Sequence, residues 1–268
     1  MKYTLLPGTD ITISRLSFGT ASLHHLGSSR KRQALLCAAV EHGFSHIDTA
    51  PYYGFGLAEI EVGRFLEKHS NHLTVATKVG LYPPGGGGGA TVSVWARKAL
   101  GKLVPAVTRP IIDWSIAKAS KSLENSLRQL KRDHVDILFL HEPVSDLINT
   151  EEFMNWVMQQ RKLGKLRYWG LAGPSEKFRS WISAGHALAQ VLQVRDSIRE
   201  GQSHPVLDAG RAFQLTYGYL AEAQAENRNL SVCDVLRSAL ARNQTGSVLV
   251  STRRISHIST LVSTTGSF

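Results

Sequence analysis

Segments with strand character alternate with helical segments along the whole chain, and this order restricts the fold more than any other sequence feature. The strand-like runs are short and apolar or alternating, and helical periodicity marks most intervals between them. The eight predicted strands are 16–20, 46–49, 73–79, 135–141, 166–172, 191–196, 213–218 and 247–252. The clearest predicted helices are 28–42, 57–68, 114–131, 150–162 and 231–242. The pattern is weakest at 197–212, where the sixth helix would be short.

Strict alternation of strand and helix predicts a parallel sheet with right-handed crossovers. Eight such units in 268 residues match the roughly 250 residues of a closed barrel. We therefore predict an α/β fold, a (β/α)8 TIM barrel in which residues 1–268 form a single domain. A doubly wound Rossmann sheet is the alternative. Its glycine fingerprint fails, because Gly54 and Gly56 are followed by Glu59 where a third glycine would stand.

The interval between the third and fourth strands is far longer than the others. It contains the stretch "YPPGGGGGA" at 82–90 and a basic, Trp-containing stretch at 91–114. Consecutive glycines are costly to hold in one conformation, and long loops in compact domains are usually functional or disordered. We predict a glycine-rich excursion at about 81–112 that serves as a lid or substrate loop. An insert without a role is the alternative.

The composition favours a protein that binds neither nucleic acid nor a membrane. The formal net charge is +10, but the basic residues are dispersed, as on solvated helix faces. No apolar run approaches the roughly 20 residues of a membrane span, and the stretch "MKYTLLPGTD" lacks a signal-peptide core. Cys37 and Cys233 lie far apart in helical patterns, which indicates buried thiols in a reducing compartment. We predict a cytoplasmic location and leave the oligomeric state open.

Four polar side chains are expected at one end of the predicted barrel. Asp48 ends the second strand, and Tyr53 follows in the next loop. Lys78 lies near the end of the third strand, and His141 closes the fourth. Active sites of such barrels lie at the carboxyl ends of the strands. Each residue alone has an ordinary structural explanation, but a buried lysine needs a partner, and Asp48 on the adjacent strand supplies one.

These four side chains suit proton transfer at a carbonyl or alcohol oxygen. A phenol has a pKa near 10, and a cation within roughly 4–6 Å lowers such a pKa by about 1–3 pH units. We expect Lys78 to have this effect on Tyr53, Asp48 to keep Lys78 charged, and His141 to orient the same oxygen. No nucleophile paired with a base accompanies them. A nicotinamide cofactor is therefore the natural source of electrons.

Four segments resemble the motifs of the aldo-keto reductase family in order and spacing. They are "DTAPYYGFGLAEIEVGRFL" (48–66), "ATK" (76–78), "SLENSLRQLKRDHVDILFLHEP" (122–143) and "GKLRYWGLAG" (164–173). The resemblance covers about residues 5 to 258. It implies a (β/α)8 barrel, bound NADP(H) or NAD(H), and reversible carbonyl–alcohol oxidoreduction. It also implies that Asp48, Tyr53, Lys78 and His141 form the family's catalytic tetrad.

The resemblance extends to residues that would hold the nicotinamide. Where the family usually has a Ser-Asn pair that grips the carboxamide, this chain has Ala172 and Gly173. Gln193 matches the family's strand-six glutamine, a second carboxamide partner. These three positions are the expected nicotinamide contacts.

The family usually places an aromatic residue three positions after that glutamine, where it stacks under the nicotinamide. Here the position is Asp196, which cannot supply a flat apolar surface. Tyr217 and Tyr219, after the seventh strand, are the candidate replacements, and packing is the alternative role for each.

The segment after the eighth strand resembles the part of the family that holds the adenosine phosphate. It contributes Ser251, Thr252, Arg253, Arg254 and His257 as expected cofactor contacts. Barrels commonly bind phosphate near their last two strands, and two arginines can grip a 2′-phosphate by charge-assisted hydrogen bonds. NADP(H) is therefore favoured, with NAD(H) as the alternative.

Taken together, the residues predict an oxidoreductase that transfers a hydride between the cofactor and a small aldehyde, ketone or sugar-like alcohol. Tyr53 would act as its general acid and base. The alternative is a cofactor-binding regulatory protein with little turnover. We predict no metal site, because the adjacent His24 and His25 would point opposite ways on an extended chain.

Overall fold

The computed structural model of the protein describes residues 1–69, 72–84, 109–199, 201–225 and 231–267. The strands of these ranges are β1 (Tyr3–Leu5), β2 (Thr12–Ser14), β3 (Leu16–Gly19), β4 (His46–Asp48), β5 (Thr74–Val79), β6 (Leu81–Tyr82), β7 (Ile111–Ile112), β8 (Val135–His141), β9 (Leu166–Gly173), β10 (Val191–Arg195), β11 (Leu215–Tyr217) and β12 (Ser247–Val250). The helices are α1 (Ser29–Glu41), α2 (Leu57–His69), α3 (Ile116–Leu130), α4 (Thr150–Lys162), α5 (Arg179–Ser183), α6 (His204–Asp208), α7 (Tyr219–Ala225), α8 (Val232–Arg242) and α9 (Ser256–Ser263).

Eight of these strands form a closed, parallel barrel in chain order: β3, β4, β5, β8, β9, β10, β11 and β12. The barrel closes where β12 pairs with β3, with Val248 opposite Leu16. Helices lie between the strands, so the predicted (β/α)8 barrel is confirmed. All carboxyl ends of the barrel strands therefore point to one rim.

Local sequence signals explain where the longer helices begin. A serine or asparagine side chain accepts a hydrogen bond from a first-turn backbone N–H, which satisfies a group that the helix leaves unpaired. Ser28 caps the start of α1 in this way, Ser115 that of α3, Asn149 that of α4 and Ser231 that of α8.

Apolar side chains fill two regions. The larger one lies between the barrel wall and the helices and includes Phe65, Leu123 and Leu236. The smaller one lies inside the barrel, where inward-facing strand residues meet Leu6, Ile11 and others from the antiparallel hairpin of β1 and β2. This hairpin closes the amino-terminal end of the barrel, so the other rim is the one left for ligands.

Arg15, between β2 and β3, joins distant parts of the chain. Its guanidinium donates hydrogen bonds to the carbonyl oxygens of Leu240, Asn243, Gln244 and Gly246 at 2.5–3.1 Å. These carbonyls follow or end α8, where helix C-terminal oxygens otherwise lack partners. The side chain thereby fixes the last helix–strand unit against the first barrel strand.

The long interval after β5 begins and ends in an antiparallel pair, with Leu81 opposite Ile112 and Tyr82 opposite Ile111. Residues 85–108 lie outside the described residues, so the role of the excursion at about 81–112 stays a prediction. The weak pattern at 197–212 corresponds to α6, which has only five residues.

Candidate active site

Asp48 and Lys78 form a buried ion pair inside the carboxyl-terminal rim. Asp48 is the last residue of β4, and Lys78 lies on the neighbouring β5. Lys78 Nζ lies 2.6 Å from Asp48 Oδ1 and donates a second hydrogen bond to the Thr49 carbonyl at 3.0 Å. The expected partner of the buried lysine is therefore in place.

Gln193 joins this pair from across the barrel. Its side-chain amide donates to Asp48 Oδ1 at 2.8 Å, and the side chain is 2% exposed. The carboxylate oxygen thus accepts from both an ammonium and an amide. Two donors on one oxygen fix the orientation of Asp48 and, through it, that of Lys78.

Tyr53 reaches the site through a tight turn after β4. The turn Tyr53–Gly56 contains three residues with positive φ, Gly54 at 58°, Phe55 at 57° and Gly56 at 89°, and leads directly into α2. A side chain at position 54 would meet His24, since a Cβ there would lie 2.5 Å from His24 Cβ. The turn places the Tyr53 ring so that Lys78 Nζ lies 4.7 Å from the ring centroid.

His141 completes the group from the end of β8. Its ring lies nearly perpendicular to that of Tyr53, with centroids 5.9 Å apart. Its Nδ1 is buried and has no hydrogen-bond partner among the described residues. Burial lowers the pKa of His141 well below its usual range, and the charges of Lys78 and Lys177 lower it further. The imidazole is therefore neutral near pH 7 and able to donate one hydrogen bond.

Three of the four side chains border a cavity of about 350 Å³ at the carboxyl-terminal rim. Tyr53, Lys78 and His141 line it, and Asp48 lies beneath Lys78. The other lining residues are Tyr52, Leu81, Pro110, Glu142, Ala172, Gly173, Gln193, Tyr217 and Leu249. The sequence-predicted group thus converges on one space large enough for a small organic ligand.

The prediction that Lys78 lowers the pKa of Tyr53 below that of an ordinary phenol is wrong for this structure. Burial raises the pKa of Tyr53 well above its usual value, and the negative charges of Asp48 and Glu142 raise it further. The ammonium of Lys78 does not outweigh these effects. Burial lowers the pKa of Lys78 itself, which Asp48 opposes. The phenol therefore holds its proton at neutral pH.

The residues expected near the nicotinamide lie on the cavity wall. Ala172 and Gly173 end β9, and Gln193 lies on the adjacent β10. A Cβ at Gly173 would lie 3.2 Å from Cα and Cγ of Glu142. The absence of a side chain at Gly173 therefore lets Glu142 pack closely against the end of β9.

The basic segment after β12 continues outward from the cavity. Ser251 donates to the Gly19 carbonyl at 2.9 Å, and the Thr252 hydroxyl accepts from Arg254 N at 3.1 Å. The side chains of Arg253, Arg254 and His257 are exposed. Leu249 of β12 lines the cavity, so the segment follows directly after one of the strands that form the cavity wall.

Asp196 does not face the cavity. Its carboxylate accepts from Arg242 Nε at 2.6 Å, from the Tyr219 hydroxyl at 2.8 Å and from Ser203 N at 3.2 Å. Tyr219 is thereby held in packing, whereas Tyr217 lines the cavity. Of the two candidate aromatic replacements, the structure brings only Tyr217 to the site.

Sequence reasoning missed Glu142. It follows His141, lines the cavity and accepts a hydrogen bond from Lys177 Nζ at 2.6 Å. Its position directly after the histidine was the only available signal, since nothing in the sequence shows which way its side chain points.

Among the described residues, no group of three or more His, Cys, Asp or Glu side chains is arranged to hold a metal ion. In the same part of the chain, no helix combines the length and apolar character that crossing a membrane requires.

Comparison with known proteins identifies a family model and relatives that match this chain. The family model of the aldo/keto reductase family matches residues 15–194. Aldo-keto reductase YhdN of Bacillus subtilis (strain 168) is 25% identical over 230 residues, which is 82% of this chain and 62% of that relative. D-threo-aldose 1-dehydrogenase of a Pseudomonas species is 31% identical over 144 residues, 50% of this chain and 41% of the relative. The chain thus spans less than two thirds of the length of these curated relatives.

Solved structures share the fold. The holo form of aldo-keto reductase AKR11C1 from Bacillus halodurans superposes with a TM-score of 0.77 at 19% identity, covering 99% of this chain and 91% of that one. An aldo-keto reductase from Klebsiella pneumoniae in complex with NADPH gives a TM-score of 0.70 at 21% identity, covering 98% and 89%. The family match extends over more than half of the sequence, and the chain belongs to the aldo/keto reductase family.

Proposed function

We propose that the protein is an oxidoreductase that interconverts small carbonyl compounds and alcohols with a nicotinamide cofactor, NADP(H) being favoured over NAD(H). The observation that carries the proposal is the convergence of Tyr53, Lys78 and His141, with Asp48 beneath, on one cavity. Small aldehydes, ketones and sugar-like alcohols fit the size of this cavity. A location in the cytoplasm is part of the proposal and is supported by two free cysteines.

Tyr53 would be the proton donor in the direction of reduction. Its raised pKa keeps the hydroxyl protonated at neutral pH, so the proton is available when a carbonyl oxygen gains negative charge. The neutral imidazole of His141 would donate a hydrogen bond to the same oxygen and orient it. Lys78, 4.7 Å from the ring centroid, would stabilise the phenolate that forms as the proton leaves. In oxidation the same groups would act in reverse.

The residues on the cavity wall fit a nicotinamide. The bound cofactor would supply or accept the hydride. Gln193, Ala172 and Gly173, which line the cavity, would contact its carboxamide, and Tyr217 would supply the flat aromatic surface. Tyr53 and His141 line the same cavity, so these residues would hold the nicotinamide next to the groups that handle the proton.

The segment from Ser251 to His257 would hold the adenosine phosphate. Arg253 and Arg254 are exposed, and neither takes part in an ion pair within the described part of the chain. Two such guanidinium groups favour a ligand with an additional 2′-phosphate, because charge-assisted hydrogen bonds to phosphate are strong. The preference for NADP(H) rests on this pair.

The decisive experiment measures NADPH consumption with a panel of small aldehydes, and NADP reduction with the matching alcohols. Tyr53→Phe should lower kcat by at least about 10²-fold, as expected for loss of a general acid, while the dissociation constant for NADPH stays unchanged. Tyr168→Phe is the matched control, because that phenol accepts from Asp10 N at the opposite end of the barrel. Equal and negligible rates in wild type and Tyr53→Phe, with NADPH bound, would favour a regulatory protein.

Cofactor preference needs its own measurement. Arg253→Ala and Arg254→Ala should each weaken NADPH binding about tenfold, the loss of one charge-assisted contact, and change NADH binding little. Arg237→Ala on α8, where Arg237 pairs with Asp234, should change neither. Equal losses for both cofactors would count against a role in binding the 2′-phosphate.

A further inference from the structure

One charged group on the cavity wall has no part in the proton transfer described above. Glu142 has a left-handed backbone, with φ of 51°, a conformation that a residue with a Cβ seldom adopts. Its N–H donates to the Ala172 carbonyl at 2.6 Å, which fixes this backbone against β9. The absence of a side chain at Gly173 leaves room for Cα and Cγ of Glu142. The chain thus holds a carboxylate at the cavity against local conformational preference, a feature common at functional sites.

The Glu142 carboxylate lies at the cavity that Tyr53 and Tyr217 also line. One oxygen, Oε2, pairs with Lys177 Nζ, and the two side chains are 41% and 42% exposed. After burial and Asp48, Glu142 is the third cause that raises the pKa of Tyr53, and it also raises that of Tyr217. Lys177 instead lowers the pKa of His141. The negative charge of Glu142 therefore acts on the phenols of Tyr53 and Tyr217, which line the cavity.

We propose that Glu142 selects substrates by charge, so that the cavity accepts uncharged or cationic carbonyl compounds and rejects those that carry a carboxylate or phosphate near the carbonyl. This inference rests on the proposed function. An anion in the cavity would lie close to the Glu142 carboxylate, and Lys177, which is not among the residues that line the cavity, would offset the repulsion only in part. Like charges at a partly exposed site repel by about tenfold in affinity. The net charge of +10 would predict the opposite preference.

The test compares 4-formylbenzoate with 4-formylbenzamide, which have nearly the same shape and differ in charge. We expect wild type to have a higher kcat/KM for the amide. Glu142→Gln should shift the acid-to-amide ratio of kcat/KM about tenfold toward the acid, and Lys177→Gln should shift it the other way. Glu176→Gln is the matched control, because that exposed acid pairs with Arg179 and does not line the cavity; its ratio should equal that of wild type.

Two further measurements make the result decisive. Removal of the Glu142 charge should move the basic limb of the kcat/KM–pH profile to lower pH, because that charge raises the pKa of Tyr53; a merely structural residue would leave the limb in place. An unchanged ratio in Glu142→Gln, or a wild type that prefers the acid, overturns the inference. If no aldehyde is turned over, the proposed function fails. Calorimetric measurement of the binding of both compounds to wild type and Glu142→Gln then still tests whether Glu142 selects ligands by charge. Equal acid-to-amide affinity ratios in the two proteins would overturn selection by charge.

Discussion

Asp48→Asn tests the buried ion pair through protein stability. Lys78 and Asp48 have side chains that are 2% and 1% exposed, with 2.6 Å between Nζ and Oδ1. Asparagine keeps the shape and an oxygen that can accept from Gln193, but it removes the countercharge. The ammonium then retains the Thr49 carbonyl as its remaining described hydrogen-bond acceptor. Removal of one partner of a buried pair typically costs about 3–5 kcal/mol in the free energy of unfolding.

The pH dependence gives this prediction a sign. Burial lowers the pKa of Lys78, and Asp48 opposes that shift, so the pKa should fall further in Asp48→Asn. The unfolded chain, with a lysine pKa near 10.4, then binds more protons than the folded chain between the two pKa values. Stability rises with pH throughout that window. The loss of unfolding free energy in Asp48→Asn relative to wild type should therefore be larger at pH 7 than at pH 9.

Urea unfolding followed by tryptophan fluorescence measures both quantities. Asp48→Asn should unfold at a clearly lower urea concentration than wild type at pH 7, and part of the difference should disappear at pH 9. The double variant Asp48→Leu/Lys78→Met, which leaves no charge unpaired, should be more stable than Asp48→Asn at pH 7. A midpoint equal to wild type at pH 7, or a deficit that is the same at both pH values, would refute the reasoning.

Three other substitutions test the packing and the buried ionisable groups, each by urea unfolding. Gly63→Ala would bring a Cβ within 1.9 Å of the Gln129 carbonyl oxygen where α2 meets α3 and should lower the free energy of unfolding by about 1–3 kcal/mol. Gly27→Ala is the control, because Gly27 has open space around it, and it should be nearly neutral. Similar losses of stability in the two variants would contradict the packing argument. Burial lowers the pKa of His46 to about 4, so the folded protein loses stability as the pH falls from 6.5 toward 4. His46→Asn should remove up to about 3 kcal/mol of that loss. Parallel plots of stability against pH for the variant and wild type would contradict this. Burial raises the pKa of Glu59 to about 7, so the folded protein loses stability as the pH rises from 4.5 through 7. Glu59→Gln should therefore stabilise the protein at pH 8 but not at pH 4.5. An equal gain in stability at both pH values would point to another cause.

Much of the fold follows from local patterns. The run at 135–141 is apolar throughout, and the structure has β8 at the same residues. The helix predicted at 150–162 also matches α4 at both ends, because Asn149 caps its start and Gly164 follows its end. The hairpin of β1 and β2 was not predicted, since three-residue strands carry too little pattern to be recognised and its pairing depends on the barrel that it closes.

The candidate site was predictable only where neighbouring strands supply the groups. Asp48 and Lys78 lie on consecutive barrel strands, so their contact follows from the topology. The hydrogen bond from Gln193 to Asp48 crosses the barrel and needs the closed geometry. The acidity of Tyr53 was misjudged because the sequence shows which charges are near but not how deeply the phenol is enclosed.

The contacts of Arg15 have a consequence for synthesis of the chain. A ribosome releases β3 long before β12, and until then the first barrel strand has an open edge that invites pairing with other chains. The carbonyl groups that Arg15 binds emerge just before β12. A nascent chain that stalls within α8 should therefore keep an unpaired edge on β3 and need a chaperone. A chain that has emerged through residue 250 can pair β12 with β3 and close the barrel.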